Sequence, residues 1–142
     1  MCLPENLLSI QGVVDEIPHA RDFVSVIARQ AGMDEQAIQH CQLAVDEACT
    51  NIIEHAYQSN RERSIEIKCT YTPFVFTIII TDDGPAFNPL LRTDPDPRTE
   101  LHERGEGGWG VYFIKQLMDE VYYTRNGSYN HFTMQKHLKQ AG

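Results

Sequence analysis

The sequence predicts an α+β domain, a two-layer α/β sandwich in which helices cover one face of a mainly antiparallel, mixed β-sheet. Three observations predict this class. Segments with the alternation or apolar runs of strands occur near both ends and in the middle of the chain. Segments with helical periodicity lie between them, and the resulting order is β-α-α-β-β-loop-α-β-β. The length of 142 residues suits a single domain over residues 1–142.

The first part of the chain predicts one strand and two helices. Residues 7–14 are short, apolar and compatible with a strand. A helix can begin at Pro18, because proline suits the first helical turn, and its apolar residues recur every three or four positions until about Gly32. Asp34 can cap a second, long helix over about residues 35–58.

The middle of the chain predicts a hairpin followed by a long loop. Residues 64–71 alternate between apolar and polar side chains, which is typical of a half-buried strand. Residues 74–81 are almost continuously apolar, which indicates a central strand, and the turn at 72–73 joins the two. Residues 92–108 are rich in charge, proline and glycine, so we expect a long mobile loop there.

The last part of the chain predicts one helix and a second hairpin. Residues 110–118 have helical character, and they precede two closing strands over 121–125 and 131–137. The dipeptide Asn126-Gly127 between those strands is a typical hairpin turn.

Charge and cysteine content exclude several classes of function. The net charge is −8, with 20 acidic against 12 basic residues, so nucleic acid is not expected as a partner. The four cysteines form no CxxC pair and have no zinc-ligand spacing. Neither a signal peptide nor an apolar run of roughly 20 residues is visible, so we expect a cytoplasmic protein with no membrane partner.

A polar stripe lies on the second predicted helix. Glu47, Asn51 and His55 are each four residues apart, which places them in one stripe roughly 80° wide. A carboxylate there can act as a general base, and an amide oxygen one turn on can bind Mg²⁺. A different face, with Val45, Cys49, Ile52 and Ala56, is expected to be the core side, so the polar stripe lies along an edge of the helix that can face a cleft. A solvated helix face is the alternative interpretation.

A second motif, Asp82-Asp83-Gly84-Pro85-Ala86-Phe87, directly follows the predicted central strand. A carboxylate held at a strand end can accept a hydrogen bond from an amine such as the adenine N6 group. Gly84 would allow the backbone to approach a flat ring closely. An ordinary Asp-Gly-Pro turn is the alternative.

The third motif is the glycine-rich segment over residues 105–110, which opens the third predicted helix. Free N–H groups and the positive dipole end of a helix N-terminus suit phosphates. No Gly-Lys-Ser/Thr follows, so the segment is not a Walker A loop, and a loop rather than a strand precedes it, unlike a Rossmann fingerprint. A flexible linker is the alternative.

Together, ExxxNxxxH, DxGxxF and GGxG in this order resemble the N, G1 and G2 boxes of the GHKL ATPases. The resemblance runs from about Pro18 to the C-terminus. It implies the Bergerat ATP-binding fold, ATP and Mg²⁺ as cofactors, and a mobile ATP lid over about residues 88–107.

Within this superfamily, the chain resembles the anti-sigma-factor serine/threonine kinases in its length and in its local sequence around residues 43–51 and 108–121. No dimerisation helix with a phosphorylated histidine is visible, unlike in histidine kinases. The resemblance implies a kinase that phosphorylates a serine of a STAS-domain anti-sigma-factor antagonist and binds a sigma factor. It also implies a homodimer.

The resemblance also implies roles for individual residues. Glu47 would be the general base, Asn51 would bind Mg²⁺, and Asp82 would bind adenine. Arg21 would contact the antagonist or the sigma factor, and Arg104 would neutralise charge on the transferred phosphoryl group. The remaining expected nucleotide-binding positions are His55, Gly84, Phe87, Gly107, Gly108 and Gly110.

Three other functions stay open at this point. The first is a non-catalytic module of the same fold that binds nucleotide or a protein partner and transfers nothing. The second is a metal-dependent hydrolase built on Glu47 and His55, against which the absence of an HExxH pair argues. The third is phosphate transfer to a histidine of a separate protein.

Overall fold

The computed structural model describes residues 6–57, 60–91 and 109–138. These residues form three α-helices and five strands, together with a π-helical turn over Ile52–Ala56 and 3₁₀ turns over Val14–Glu16 and Pro89–Leu91. The helices and strands, in chain order, are β1 (Leu7–Gln11), α1 (Ile17–Gln30), α2 (Glu35–Asn51), β2 (Ser64–Tyr71), β3 (Val75–Asp82), α3 (Trp109–Leu117), β4 (Glu120–Asn126) and β5 (Tyr129–His137).

The sheet has the strand order β1-β2-β3-β5-β4, and every neighbouring pair is antiparallel. The predicted α+β sandwich is confirmed, but the sheet is not mixed. Two consecutive strands become parallel neighbours only when the connection between them crosses over and places the second strand directly beside the first. Here the crossover through α3 leads to β4 at the edge, and β5 then turns back to lie between β3 and β4. As predicted, β3 is the central strand.

The core lies between the helices and one face of the sheet. Alternate residues of β2 are fully buried, as predicted, and β3 follows the same rhythm, because successive side chains of a strand point to opposite faces. The helices contribute apolar stripes at three- and four-residue spacing. The fully enclosed residues of these elements include Ala20, Val24, Val45, Ile65, Ile67, Phe76, Ile78 and Ile80.

Both long helices begin close to the predicted residues, and the first also ends close to its predicted end. Pro18 lies in the first turn of α1, and Gly32 terminates the helical path with a φ of 86°, a conformation that glycine adopts without strain. The carboxylate of Asp34 accepts a hydrogen bond of 2.8 Å from the backbone N–H of Ala37, so it is the N-cap of α2. The short connection therefore packs α1 against α2.

The start of the chain differs from the prediction in one place. Strand β1 ends at Gln11 rather than near Val14. The backbone N–H of Gly12 donates a hydrogen bond of 2.7 Å to the carbonyl of Arg63, and a 3₁₀ turn then leads into α1. A side chain at Gly12 would meet the Tyr57 ring at 2.9 Å, so the close approach requires glycine.

The second helix is also shorter than predicted. Its α-helical part ends at Asn51, and the following turn is a π-helix in which the N–H of Tyr57 donates to the carbonyl of Ile52 at 2.8 Å. Hydrophobic periodicity does not distinguish a π-turn from one more α-turn, since both can bury Ile53 and Tyr57. π-Turns inside helices occur frequently at functional sites.

The second hairpin is confirmed, with Gly127 at a φ of 61° in its turn. The predicted lid over 88–107 is described only up to Leu91, where Pro89–Leu91 form a 3₁₀ turn. Residues 92–108 lie outside the described residues.

The described cysteines carry no disulfide. Cys41, Cys49 and Cys69 are free and buried, and burial raises the pKa of the Cys41 and Cys49 thiols to about 12. These thiols are therefore core residues rather than nucleophiles. In the part of the chain that the structure describes, no helix is long and apolar enough to cross a membrane.

Candidate functional site

A pocket opens where the end of α2, the end of β3 and the start of α3 meet. Asn51, Asp82 and Phe87, three of the residues singled out from the sequence, line it. Its walls are mostly apolar and carry few polar groups, which is the composition of a small-molecule site. The other lining residues are Ala48, Ile52, Ala56, Pro89, Val111, Ile114, Tyr123, Asn130 and Phe132.

Asp82, the last residue of β3, supplies the carboxylate of this pocket. It is only 7% exposed. Its Oδ1 accepts hydrogen bonds from the Gly84 N–H at 2.9 Å and from Asn130 Nδ2 at 3.0 Å. Among the described residues, none donates to Oδ2. The side chain is therefore held rigidly and keeps one oxygen available for an amine of a ligand.

Gly84 lies against the π-turn. A Cβ atom at this position would be 3.0 Å from Ala56 Cβ and 3.0 Å from Asp82 Oδ1. Only glycine allows the turn after β3 to approach the helix this closely.

The π-turn changes which residues reach the pocket. Because its hydrogen bonds join residues five apart, Ala56 lies on the same side as Asn51, and in an α-helix it would lie well away from it. Ile52 and Ala56, expected to be on the core side, are therefore half-buried in the pocket wall. His55 is exposed and is not among the described lining residues, so its role stays a prediction.

Glu47 and Asn51 lie one turn apart on α2, and both are half-buried. Burial, followed by the negative charges of Asp46 and Glu54, raises the pKa of the Glu47 carboxyl above its usual range. A raised pKa makes a carboxylate a better proton acceptor near neutral pH.

Asn51 fits the metal role that the sequence predicts. Its amide has no hydrogen-bond partner among the described residues, so the amide oxygen is available to a hard cation. The described residues contain no group of three or more metal-ligating side chains. The single amide oxygen of Asn51 is compatible with Mg²⁺, because this ion commonly takes one or two protein oxygens and completes its shell with water and substrate phosphates.

Sequence reasoning missed a network on the other side of Asp82. Asn130, which is 4% exposed, also donates from Nδ2 to the carbonyls of Gly84 at 3.2 Å and Pro85 at 3.0 Å. Its own Oδ1 accepts from Tyr123 Oη and, at 3.1 Å, from Arg125 Nη1. One signal was present in the sequence. Asn130 is a polar residue at the inward position of a strand whose next inward positions are apolar.

A second set of residues that the sequence did not reveal stabilises the turn after β3 from the opposite side. The Tyr57 hydroxyl donates to the carbonyl of Ser64 at 2.6 Å and accepts from the N–H of Asp83 at 3.1 Å. The Arg63 guanidinium lies 5.4 Å from the centre of the Tyr57 ring and donates to the Asp83 carbonyl at 2.9 Å. Burial raises the pKa of the Tyr57 hydroxyl, so it stays protonated and keeps donating.

Arg21 lies outside the pocket, on α1. Its Nη1 donates to Asp46 Oδ2 at 3.2 Å, and its side chain is 40% exposed. The guanidinium is therefore partly exposed, so a protein partner can reach it. The structure does not test the partner role predicted for it.

The predicted phosphate-binding segment is largely outside the described residues. Arg104, Gly107 and Gly108 belong to that part. Gly110 lies in the first turn of α3, and Val111 and Ile114 of the same helix line the pocket. The start of α3 is therefore near the pocket, where a helix N-terminus can receive an anion.

A family model and two curated relatives match most of this chain. The family model described as the histidine kinase-like ATPase domain matches residues 11–136. The serine-protein kinase RsbW of Bacillus subtilis (strain 168) is 32% identical over 117 residues, which cover 75% of this chain and 73% of RsbW. The serine/threonine-protein kinase BtrW of Bordetella bronchiseptica is 28% identical over 95 residues, 67% of each chain.

Solved structures share the fold. The crystal structure of the RsbU and RsbW domains of a Mycobacterium tuberculosis protein matches 97% of this chain with a TM-score of 0.66 at 13% identity. This chain spans 33% of that crystallised chain. The histidine kinase domain of a blue-light-activated kinase from Erythrobacter litoralis matches 91% with a TM-score of 0.51 at 17% identity. With the family model matching most of its length, the chain belongs to the histidine kinase-like ATPase family.

Proposed function

We propose that this protein binds ATP with Mg²⁺ and transfers the γ-phosphoryl group to a serine of a STAS-domain anti-sigma-factor antagonist, and that it also binds the sigma factor. The observation that carries the proposal is the buried Asp82 carboxylate, which has one oxygen to which no described residue donates and which lies in an apolar pocket beside Asn51. Glu47 is one turn from Asn51 on α2. The names of the RsbW and BtrW kinases support serine as the acceptor.

In this proposal each described site residue has a separate role in nucleotide binding or phosphate transfer. Asp82 accepts a hydrogen bond from the adenine amine, while Gly84 and Phe87 border the ring. Asn51 would hold Mg²⁺ through its amide oxygen, and the ion would offset negative charge on the phosphates. Glu47 accepts the proton of the serine hydroxyl.

The transfer itself balances without a further reactant. The serine oxygen forms a bond to the γ-phosphorus, and the bond from that phosphorus to the β–γ bridging oxygen breaks. The bonding electron pair leaves with ADP, and Glu47 holds the serine proton. Positioning and charge stabilisation therefore supply most of the catalysis, which suits a site with few chemically active side chains.

Other assignments stay predictions from the resemblance. They are the charge-neutralising role of Arg104, the phosphate contacts of Gly107, Gly108 and Gly110, the part of His55, and the partner contact of Arg21. The homodimer belongs to the same group, and the cytoplasmic location stays a prediction from the sequence itself.

One experiment tests the proposal. The protein is incubated with radiolabelled ATP, Mg²⁺ and purified STAS-domain proteins, together with variants of those proteins in which the acceptor serine is alanine. We expect acid-stable phosphate on the serine protein and none on its alanine variant. Acid-labile phosphate would indicate transfer to histidine, binding of ATP without transfer to any candidate would favour the non-catalytic module, and absence of ATP binding would overturn the proposal.

Gly84→Ala is expected to weaken ATP binding about tenfold, equivalent to about 1.4 kcal/mol. The added methyl group would lie 3.0 Å from both Ala56 Cβ and Asp82 Oδ1, so the turn and the carboxylate must shift by a few tenths of an ångström. Isothermal titration calorimetry with a non-hydrolysable ATP analogue measures the change.

The matched control for Gly84→Ala is the double variant with Ala56→Gly, which removes the facing methyl group. We expect it to regain part of the lost affinity. If Gly84→Ala binds the analogue as tightly as the unmodified protein does, the close approach of this turn is unimportant for the nucleotide.

A further inference from the structure

We propose that Asn130 determines the choice of nucleobase. Together with the Gly84 N–H, its amide occupies the lone pairs of Asp82 Oδ1, so only Oδ2 can accept a hydrogen bond from the base. A carboxylate with one available oxygen fits adenine and not guanine. The inference rests on the proposed function, since it concerns the same pocket. It assigns a specificity-determining role to a residue outside the three sequence motifs.

The orientation of the Asn130 amide follows from its neighbours. Arg125 Nη1 can only donate, so the atom 3.1 Å from it must be the amide oxygen. Nδ2 consequently points at oxygens, those of Asp82, Gly84 and Pro85, at 3.0 to 3.2 Å. A flipped amide would place N–H against N–H and C=O against three oxygens, so only one orientation is compatible with this site.

Two donors occupy Asp82 Oδ1. A carboxylate has about four lone-pair positions, two on each oxygen. The Gly84 N–H and Asn130 Nδ2, at 2.9 and 3.0 Å, use the two positions of Oδ1. Oδ2, to which no described residue donates, is the oxygen left for a ligand.

A single free oxygen discriminates between purines. Adenine offers one exocyclic amine on its pairing edge, and Oδ2 can accept from it. Guanine offers two adjacent donors, N1–H and the 2-amino group, which match a carboxylate only if both oxygens are free. In this pocket one guanine donor would be buried without a partner, which weakens binding by about tenfold or more.

The surroundings prevent Asn130 from moving aside. It lies directly opposite Asp82 in the β3–β5 ladder, and it is 4% exposed. Arg125 Nη1 contacts both Asn130 Oδ1 and the Gly84 carbonyl, at 3.1 and 3.0 Å, so the amide and the turn it contacts are held by the same guanidinium. Releasing Oδ1 would break several buried hydrogen bonds at once.

The test compares the dissociation constants of ATP, GTP and ITP. ITP carries N1–H but lacks the 2-amino group, so it reports whether that group finds an acceptor. For the unmodified protein we expect ATP to bind most tightly and GTP to bind no better than ITP. For Asn130→Leu, which removes the donor to Oδ1, we expect the preference for ATP over GTP to fall about tenfold and GTP to overtake ITP.

Gln135→Leu is the matched control, because Gln135 is on the same strand but outside the pocket, where its amide contacts Thr77 at 3.3 Å. It should leave all three constants unchanged. Should Asn130→Leu fail to fold, the comparison of GTP with ITP on the unmodified protein decides, and GTP binding more tightly than ITP overturns the inference. Unchanged base preference in a folded Asn130→Leu also overturns it, whereas absence of ATP binding to the unmodified protein overturns the proposed function instead.

Discussion

Glu47→Gln is expected to slow phosphate transfer by about 10² to 10⁴, the range that general-base catalysis contributes, while ATP affinity changes little. Glutamine keeps the size and the hydrogen-bonding capacity of the side chain but cannot accept the serine proton. Glu47 is not among the described residues that line the pocket, so the contacts with the adenine ring should be preserved in the variant. Single-turnover transfer and calorimetric ATP binding, measured on the same preparation, separate the two effects.

Glu54→Gln is the matched control, since Glu54 is an exposed carboxylate within the π-turn that follows Asn51. It should transfer phosphate at close to the unmodified rate at neutral pH. Transfer by Glu47→Gln at the unmodified rate would show that Glu47 is not the base.

The same carboxyl determines the acid limb of the pH profile. Burial, with the charges of Asp46 and Glu54 adding to it, raises the pKa of Glu47. The base works only when ionised, so transfer should fall as the pH drops through this pKa, at a pH above the ordinary range of glutamate. In Glu54→Gln one negative charge is removed, so the limb should move to lower pH.

Much of the fold was predictable because its signals are local. The alternation in residues 64–71, the apolar run that ends at Thr81, and the Asn126-Gly127 turn each determine an element from neighbouring residues alone. The strand order depends on which strands pair across the chain, and periodicity carries no information on that pairing. The mixed sheet was therefore the wrong expectation, although the sandwich was right.

The site was predictable only in part, for a similar reason. Asp82 and Asn51, which both line the pocket, could be singled out because each belongs to a motif with a recognisable spacing. The π-turn that brings Ala56 into the wall differs from an α-turn by one residue per hydrogen-bonded loop, which composition does not reveal. Asn130 acts through the β3–β5 register, and 47 residues separate it from Asp82 in the chain, so its partner is visible only in three dimensions.

The Asp82→Asn variant should bind ATP about tenfold to a hundredfold more weakly, since a hydrogen bond to a charged group is worth about 1.5 to 3 kcal/mol. The two donors at Oδ1, Gly84 N–H and Asn130 Nδ2, require an oxygen there. The new amide must then place its NH₂ group at the position of Oδ2, where it meets the amine of adenine donor against donor.

This geometry predicts a change of preference in Asp82→Asn, not only a loss of affinity. Hypoxanthine carries a carbonyl where adenine carries its amine, so ITP should lose far less affinity than ATP and overtake it. Asp83→Asn is the control, because its exposed carboxylate contacts Arg63 at 3.4 Å outside the pocket and should leave ATP binding unchanged. Equal losses for ATP and ITP would mean that Asp82 stabilises the pocket without contacting the base, whereas a crossover of the two would identify it as the group that binds adenine.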